Sequence, residues 1–419
     1  MNVIEVSKSD RRLSGRVALS GSKSIANRAL IIQALCNEPV TLERLADSQD
    51  TQTLRRLLGG EQIVYDCGPA GTTFRFLTAY LALQPDVQVL TGSARMKQRP
   101  IGPLVDALRT LGADIEYLEE EGFPPLKIGA VEGIAGGKLS IAADTSSQFI
   151  SALLLIAPLF DKGLSLRLEG RIVSRPYIQM TLDIMQHFGV QHRWKDNIIK
   201  IAPQDYRGGT LQIEGDWSAA SYYYVMAALA DEVELELIGL FDQSVQGDRA
   251  IVPIMEGFGI NTVFFADGIR LSKDAELSKR VIERDFLTCP DLAQSVAVAC
   301  AGTGKMGLFS GLETLKIKET DRVAAVKAEL GKVGAYFFKA PPQMSKRADR
   351  TYYVVDGQAV VENVPQFRTY EDHRMAMAFA PLAMLGAIRV EEPAVVGKSY
   401  PGYWDELRKL GYEVKEVGG

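Results

Sequence analysis

At 419 residues, 47% apolar and 24% charged, the chain is too long for one hydrophobic core and has the balance of a globular protein of two or three domains. Its formal net charge of −5 excludes a bulk basic surface for nucleic acid or for an anionic membrane, so any anionic ligand must be held by a few locally placed bases. Four scattered cysteines (Cys36, Cys67, Cys289, Cys300) and three histidines argue against a disulfide framework, a metal site or a metal cofactor, while the apolar run Ile150 to Phe160 is too short to span a membrane, which leaves a reducing cytoplasm as the expected compartment.

The first predicted elements are a strand at Arg16–Ser20 and, directly after it, Gly21-Ser-Lys-Ser-Ile-Ala-Asn-Arg28, which opens the apolar run Ala29–Leu35 of a buried helix. Glycine, two serines and a lysine gather at a helix N-terminus, where free N–H groups and the macrodipole favour an anion. A serine-capped turn with a solvated lysine accounts for the same residues equally well. The GxxxxGK[ST] spacing of a nucleotide loop is absent.

Further along, one pattern recurs: an amphipathic helix closed by glycine, then strands. Its closing glycines are Gly59, Gly112, Gly189, Gly259, Gly334 and Gly411, each suited to a left-handed helix cap. The spacings are 112−59 = 53, 189−112 = 77, 259−189 = 70, 334−259 = 75 and 411−334 = 77. The short interval follows from the compressed run Gly60 to Gly68, which trims one unit of strand. A second, almost wholly apolar helix class interleaves, starting at Ser22-Lys-Ser24, Ala70-Gly-Thr-Thr73, Thr145-Ser-Ser-Gln148, Trp217–Ser221, Pro290–Gln294 and Glu371-Asp-His-Arg374. The first class covers a surface; the second is buried on all sides. The chain therefore reads as six copies of one mixed α/β unit, three per half. Residues 21–215 form one domain and 216–419 the other, with the strand signals of residues 1–20 able to complete either.

Bases recur at the starts of the surface helices: Arg99, Arg175, Arg322 and Lys398 lie 12 to 14 residues before their closing glycines. A base at the positive end of a helix is unfavourable unless an anion sits there. The densest cluster is Lys318-Glu-Thr-Asp-Arg322, with Pro290-Asp291 and Glu371-Asp-His-Arg374 at buried-helix starts. Acids beside bases suit proton transfer next to bound anions, and an ion-pair network suits the same residues. Asp372 and His373 read equally as a helix cap and a core histidine. Cys67 reads as a buried thiol, because no histidine is near it in sequence to activate it.

Taken together, Gly21–Arg28, Ala70-Gly-Thr72, Arg99-Pro-Ile101, Ser146-Ser-Gln148, Ser174-Arg-Pro-Tyr177, Pro290-Asp291, Lys318–Arg322 and Asp372-His-Arg-Met375 resemble the enolpyruvyl transferase family over essentially the whole chain, and within it the members acting on shikimate 3-phosphate. The resemblance implies an α/β (α+β) fold of two domains, each three βαβαββ units, with helix N-termini facing an interdomain cleft and residues 1–20 belonging to the second domain. It implies transfer of the enolpyruvyl group of phosphoenolpyruvate to the 5-hydroxyl of shikimate 3-phosphate, with no cofactor and no metal, in a monomer without nucleic-acid or membrane partners. Carried over to this chain, Lys23, Ser24, Arg28, Ser146, Ser147, Gln148, Ser174, Tyr177, Asp291 and Lys318 hold shikimate 3-phosphate. Lys23, Gly71, Arg99, Gln148, Arg322, Arg374 and Lys398 hold phosphoenolpyruvate. Glu319 moves the proton at carbon 3 and Asp291 takes that of the hydroxyl, with Lys23 and Lys318 assisting. Pro69 and Thr314 stand where family members have asparagine, so those two amide contacts are not carried over. Two other readings stay open: the sister activity on UDP-N-acetylglucosamine, whose members have Lys-Asn in place of Lys23-Ser24 and a reactive loop cysteine, and a non-catalytic anion-binding protein on the same fold.

Overall fold

The computed structural model describes residues 2–60, 62–144, 146–274 and 278–418. Thr145, expected at a helix start, and Glu61, in the compressed run, lie outside the described residues. The chain divides into two compact units, Gly21–Ile213 and Met1–Ser20 with Glu214–Gly419. The N-terminal segment falls in the second unit because it supplies strands to two of its sheets. Arg12–Ala18 pairs in parallel with Glu232–Ile238, and Val3–Ser7 lies between Ile388–Glu391 and Glu413–Val417. The division comes two residues before the boundary expected from the repeat. Glu214 and Gly215 are tied to the second unit, the former by Ser244 Oγ (2.8 Å) and the latter by its N–H on the Gly239 carbonyl (2.6 Å).

Within the Gly21–Ile213 unit the apolar helices Lys23–Leu35, Gly71–Leu81 and Ser147–Ile156 are buried, and Gln49–Leu58, Gly102–Leu111 and Arg175–His187 cover them with one face. Two four-stranded sheets complete it, each with one parallel pair flanking a buried helix and antiparallel strands beyond. A third sheet has two strands, Val40–Glu43 beside Gly209–Gln212. This is the trimmed unit. After Gly59 the chain runs straight into the next sheet, and Gly59 is accordingly not left-handed (φ −90°), unlike the other five closing glycines (φ 77° to 112°).

In the Glu214 unit the same plan is present three times. The buried helices are Trp217–Leu229, Ala293–Thr303 and His373–Phe379; the covering ones are Ile251–Glu256, Arg322–Gly331 and Tyr403–Lys409. Each sheet is four-stranded. Each unit has its own hydrophobic core, built from its buried helices and the inward residues of its strands. No helix among the described residues is long and apolar enough to cross a membrane. Cys67, Cys289 and Cys300 are buried, and burial pushes all three thiols up.

Candidate active site

In the Gly21–Ile213 unit the polar residues gather at helix starts. Gly21 has a structural reason: a Cβ there would stand 2.0 Å from the Arg44 carbonyl oxygen. Ser22 occupies the cap position of Lys23–Leu35 but makes no side-chain cap, and its buried hydroxyl has no hydrogen-bond partner among the described residues. The capped-turn alternative therefore does not describe this helix start. Lys23 Nζ contacts Asp50 Oδ2 at 3.1 Å, and the Asp50 carbonyl accepts Thr73 Oγ1 (3.0 Å), which joins three helix starts. Sequence reasoning missed Asp50, because an acid in the first turn after Ser48 reads as ordinary helix capping.

Arg28 is 2% exposed and, among the described residues, donates to neutral oxygens: Thr181 Oγ1 (2.7 Å), the Ser24 carbonyl (2.7 Å), Ser151 Oγ (3.1 Å) and the Tyr177 carbonyl (3.3 Å). Burial lowers its pKa to about 10, which leaves it charged at neutral pH. Arg99, 8% exposed, reaches so close to Gly71 that a Cβ there would be 2.4 Å from its Nη1, and its Nε has no hydrogen-bond partner among the described residues. Two buried guanidiniums without a carboxylate partner among the described residues are expensive unless an anion arrives. Ser146 caps its helix on the Gln148 N–H (3.3 Å), Ser147 is buried, and Gln148 Nε2 donates to Thr72 Oγ1 (3.0 Å). Ser174 is buried at φ 54°, immediately before the helix that carries Tyr177. Arg175 departs from the expected pattern: its guanidinium stacks 4.1 Å from the Trp194 ring and is accounted for by that contact.

The Glu214 unit brings its expected residues into one network. Arg322 begins its helix after the cap Asp321 and is 2% exposed. Its Nε donates to Asp372 Oδ2 (2.7 Å), its Nη1 to Asp291 Oδ1 (2.8 Å) and its Nη2 to Glu319 Oε2 (2.9 Å). Arg374 Nη2 holds the other oxygen of Asp291 (2.9 Å) and contacts Ser218 Oγ (3.4 Å), while its Nη1 lies 3.4 Å from the Tyr222 hydroxyl. Lys398 Nζ is 3.3 Å from Glu319 Oε1. Asp372 is both the cap of its helix, accepting the Arg374 N–H at 2.9 Å, and the partner of Arg322; His373 is buried beside it. Lys318, Arg322, Arg374 and Lys398 thus crowd around the carboxylates of Asp291, Glu319 and Asp372.

The electrostatics follow from burial and neighbours. Burial alone would raise the Asp291 carboxyl, but Arg374, Lys318 and Arg322 overrule it and hold it far below the usual carboxylate range. Burial lowers the Lys318 ammonium, with Asp291 and Glu319 opposing and Arg322 and Arg374 reinforcing. Asp248, absent from the sequence reading, is the buried acid behind this network. Ser218 Oγ donates to its Oδ2, and burial followed by the Asp291 charge raises its pKa from 3.8 to about 7. Nothing in the local pattern Gln246-Gly-Asp248 announces it, since its neighbours come from residues 30 and 43 positions away.

The native state thus keeps a proton on Asp248 that the unfolded chain loses near pH 4. Stability contributed by this site falls as pH rises from about 4 to about 7. An Asp248→Asn variant is expected to gain in Tm relative to wild type across that window, with little difference below it. Paired melting curves from pH 4 to 8 check this; a constant difference would show Asp248 ionised throughout.

The family model described as EPSP synthase (3-phosphoshikimate 1-carboxyvinyltransferase) matches residues 7–60 and 54–407. A 3-phosphoshikimate 1-carboxyvinyltransferase of Bacteroides fragilis is 46% identical over 409 residues, covering 96% of this chain and 97% of that one. One of Shewanella halifaxensis is 35% identical over 430 residues, covering 96% and 97%. Among solved structures, an EPSP synthase from Acinetobacter baumannii superimposes with a TM-score of 0.77 at 19% identity, covering 99% of this chain and 100% of that one. The enolpyruvyl transferase NikO from Streptomyces tendae does so at 0.73 and 15% identity, covering 100% and 99%. These two likenesses establish the shared fold.

Proposed function

Because the chain belongs to the EPSP synthase family, we infer that it catalyses the 3-phosphoshikimate 1-carboxyvinyltransferase reaction. The 5-hydroxyl oxygen of shikimate 3-phosphate bonds to carbon 2 of phosphoenolpyruvate while carbon 3 gains a proton. The tetrahedral intermediate then loses that proton and expels phosphate, leaving the enolpyruvyl ether. The chain is a transferase of the shikimate pathway to aromatic amino acids. The observation that carries this reading is Arg322 shared among Asp291, Glu319 and Asp372, with Arg374 and Lys398 on the same carboxylates.

Residue roles are proposed as follows. Phosphoenolpyruvate concentrates several negative charges in a small volume, so Lys23, Arg99, Arg322, Arg374 and Lys398 are proposed to bind its phosphate and carboxylate. Gly71 leaves room beside Arg99 that any side chain would fill. Ser24, Arg28, Ser146, Ser147, Ser174 and Tyr177 hold shikimate 3-phosphate; Lys23 and Gln148 touch both ligands. Glu319, flanked by Lys398 and Arg322, delivers and removes the carbon 3 proton. Asp291, kept ionised, takes the proton of the 5-hydroxyl, with Lys318, whose ammonium is already lowered, assisting. We further propose a cytoplasmic monomer acting on these two small molecules alone.

Phosphate release from phosphoenolpyruvate, followed with shikimate 3-phosphate or with UDP-N-acetylglucosamine as acceptor, tests the reading. Release is expected with the first and not with the second. Release with the nucleotide sugar alone would assign the sister activity, and none with either would leave an anion-binding protein.

A further inference from the structure

Glu329 has no part in the chemistry above, yet it is 0% exposed and fully occupied. It lies seven residues after Arg322 on the helix Arg322–Gly331, hence on the same face two turns away. Its Oε2 accepts the backbone N–H of Arg368 (3.0 Å) and Lys332 Nζ (2.6 Å), and its Oε1 accepts the Tyr370 hydroxyl (2.6 Å). Lys332 extends the same clamp to the Gln366 carbonyl (2.8 Å). The segment so held is unusual. Tyr370 and Glu371 are consecutive non-glycine residues in the left-handed region, at φ 55° and 56°. Such a turn persists only where the surroundings over-determine it. Directly after it come Asp372, which receives Arg322, and Arg374, which grips Asp291.

The segment 366–374 is therefore pinned to one face of one helix at two points, by Glu329 before the strained pair and by Arg322 after it. We propose that Glu329 is a positioning residue for the reaction: it fixes the turn Arg368–Glu371 and thereby the aim of Asp372 at Arg322 and of Arg374 at Asp291. A buried carboxylate is suited to this because it accepts three donors at once from two directions; an amide accepts fewer and adds donors of its own. Burial, together with the Glu329 carboxylate, raises Tyr370 to about 12, so its hydroxyl remains a donor. The proposal rests on the function inferred above only for its kinetic readout.

The test compares wild type, Glu329→Gln and the double variant Glu329→Gln with Glu371→Gly, by steady-state kinetics and by amide hydrogen exchange. In Glu329→Gln, kcat/KM for phosphoenolpyruvate is expected to fall about 10- to 100-fold, the scale of a small misplacement of a binding group, while KM for shikimate 3-phosphate changes by a smaller factor. Exchange should accelerate at the amides of residues 368–374. Glycine at 371 adopts the left-handed conformation freely and should restore part of the loss. Unchanged exchange at 368–374, equal rises in both KM values, or no recovery with glycine would overturn the proposal. Should Glu329→Gln not fold, Tyr370→Phe removes one of the three donors and carries the same test with a smaller change. A wild-type protein inactive on these substrates would overturn the reaction and not the anchor, which hydrogen exchange decides alone.

Discussion

A Glu319→Gln variant is expected to bind both substrates and to turn them over at least ~100-fold more slowly, the usual scale for losing a general acid–base group. Glu319 meets Arg322 through one oxygen and Lys398 through the other. Glutamine has the same shape and keeps one acceptor, but it cannot carry the proton that carbon 3 must gain and later surrender. Removing the negative charge that Arg322 and Lys398 share also frees both bases for an anion, so affinity for phosphoenolpyruvate should hold or tighten. Calorimetric titration gives the binding term and phosphate release gives kcat. Near-normal turnover would move the proton-transfer role to another acid, with Asp291 the first to examine.

The second large effect is on stability. Arg322→Met leaves Asp372, Asp291 and Glu319 without the cation they share, and removing one partner of a buried ion pair typically costs about 3–5 kcal/mol. The cost should depend on pH in a definite sense. Asp291 has a folded pKa below its unfolded value, so its contribution in wild type is present above about pH 4 and is lost as pH falls further. Without Arg322 the buried Asp291 takes up a proton more readily, so the gap between variant and wild type is widest near neutral pH and narrows on acidification. Urea unfolding at pH 7 and pH 4.5 measures both gaps. Equal gaps would mean that Arg322 stabilises by packing and not by charge.

Much of this arrangement could be read along the chain because its signals are local. An apolar helix such as Trp217–Leu229 announces burial on every side, and the glycine-closed helices announce a covering face. Repetition of the two classes supplied the six-unit plan, and even the trimmed unit was visible as a short interval. Lys318–Arg322 stood out for a related reason: bases at the positive end of a helix are unfavourable unless an anion sits beside them.

Other features escaped because their causes are distant in sequence. Asp50 passes for an ordinary first-turn acid until Lys23 and Thr73 are brought against it. Asp248 is an unremarked aspartate of the short helix Gly247–Ala250 that holds its proton only because burial and then the Asp291 charge beside it raise its pKa. Glu329 looked like one more surface-helix glutamate before residues 368–370 folded over it. Arg175 matched the pattern of bases at helix starts and was taken instead by Trp194. Helix and strand periodicity, the glycine stops and the identity of the charged residues are properties of neighbouring positions, and hydrophobic patterning alone settles them. Which acid meets which base, which proton is kept and which strained turn is held depend on burial and on contacts across tens to hundreds of residues. Those were decided only when the chain closed around them, since charge is made strong or costly by the solvent it loses.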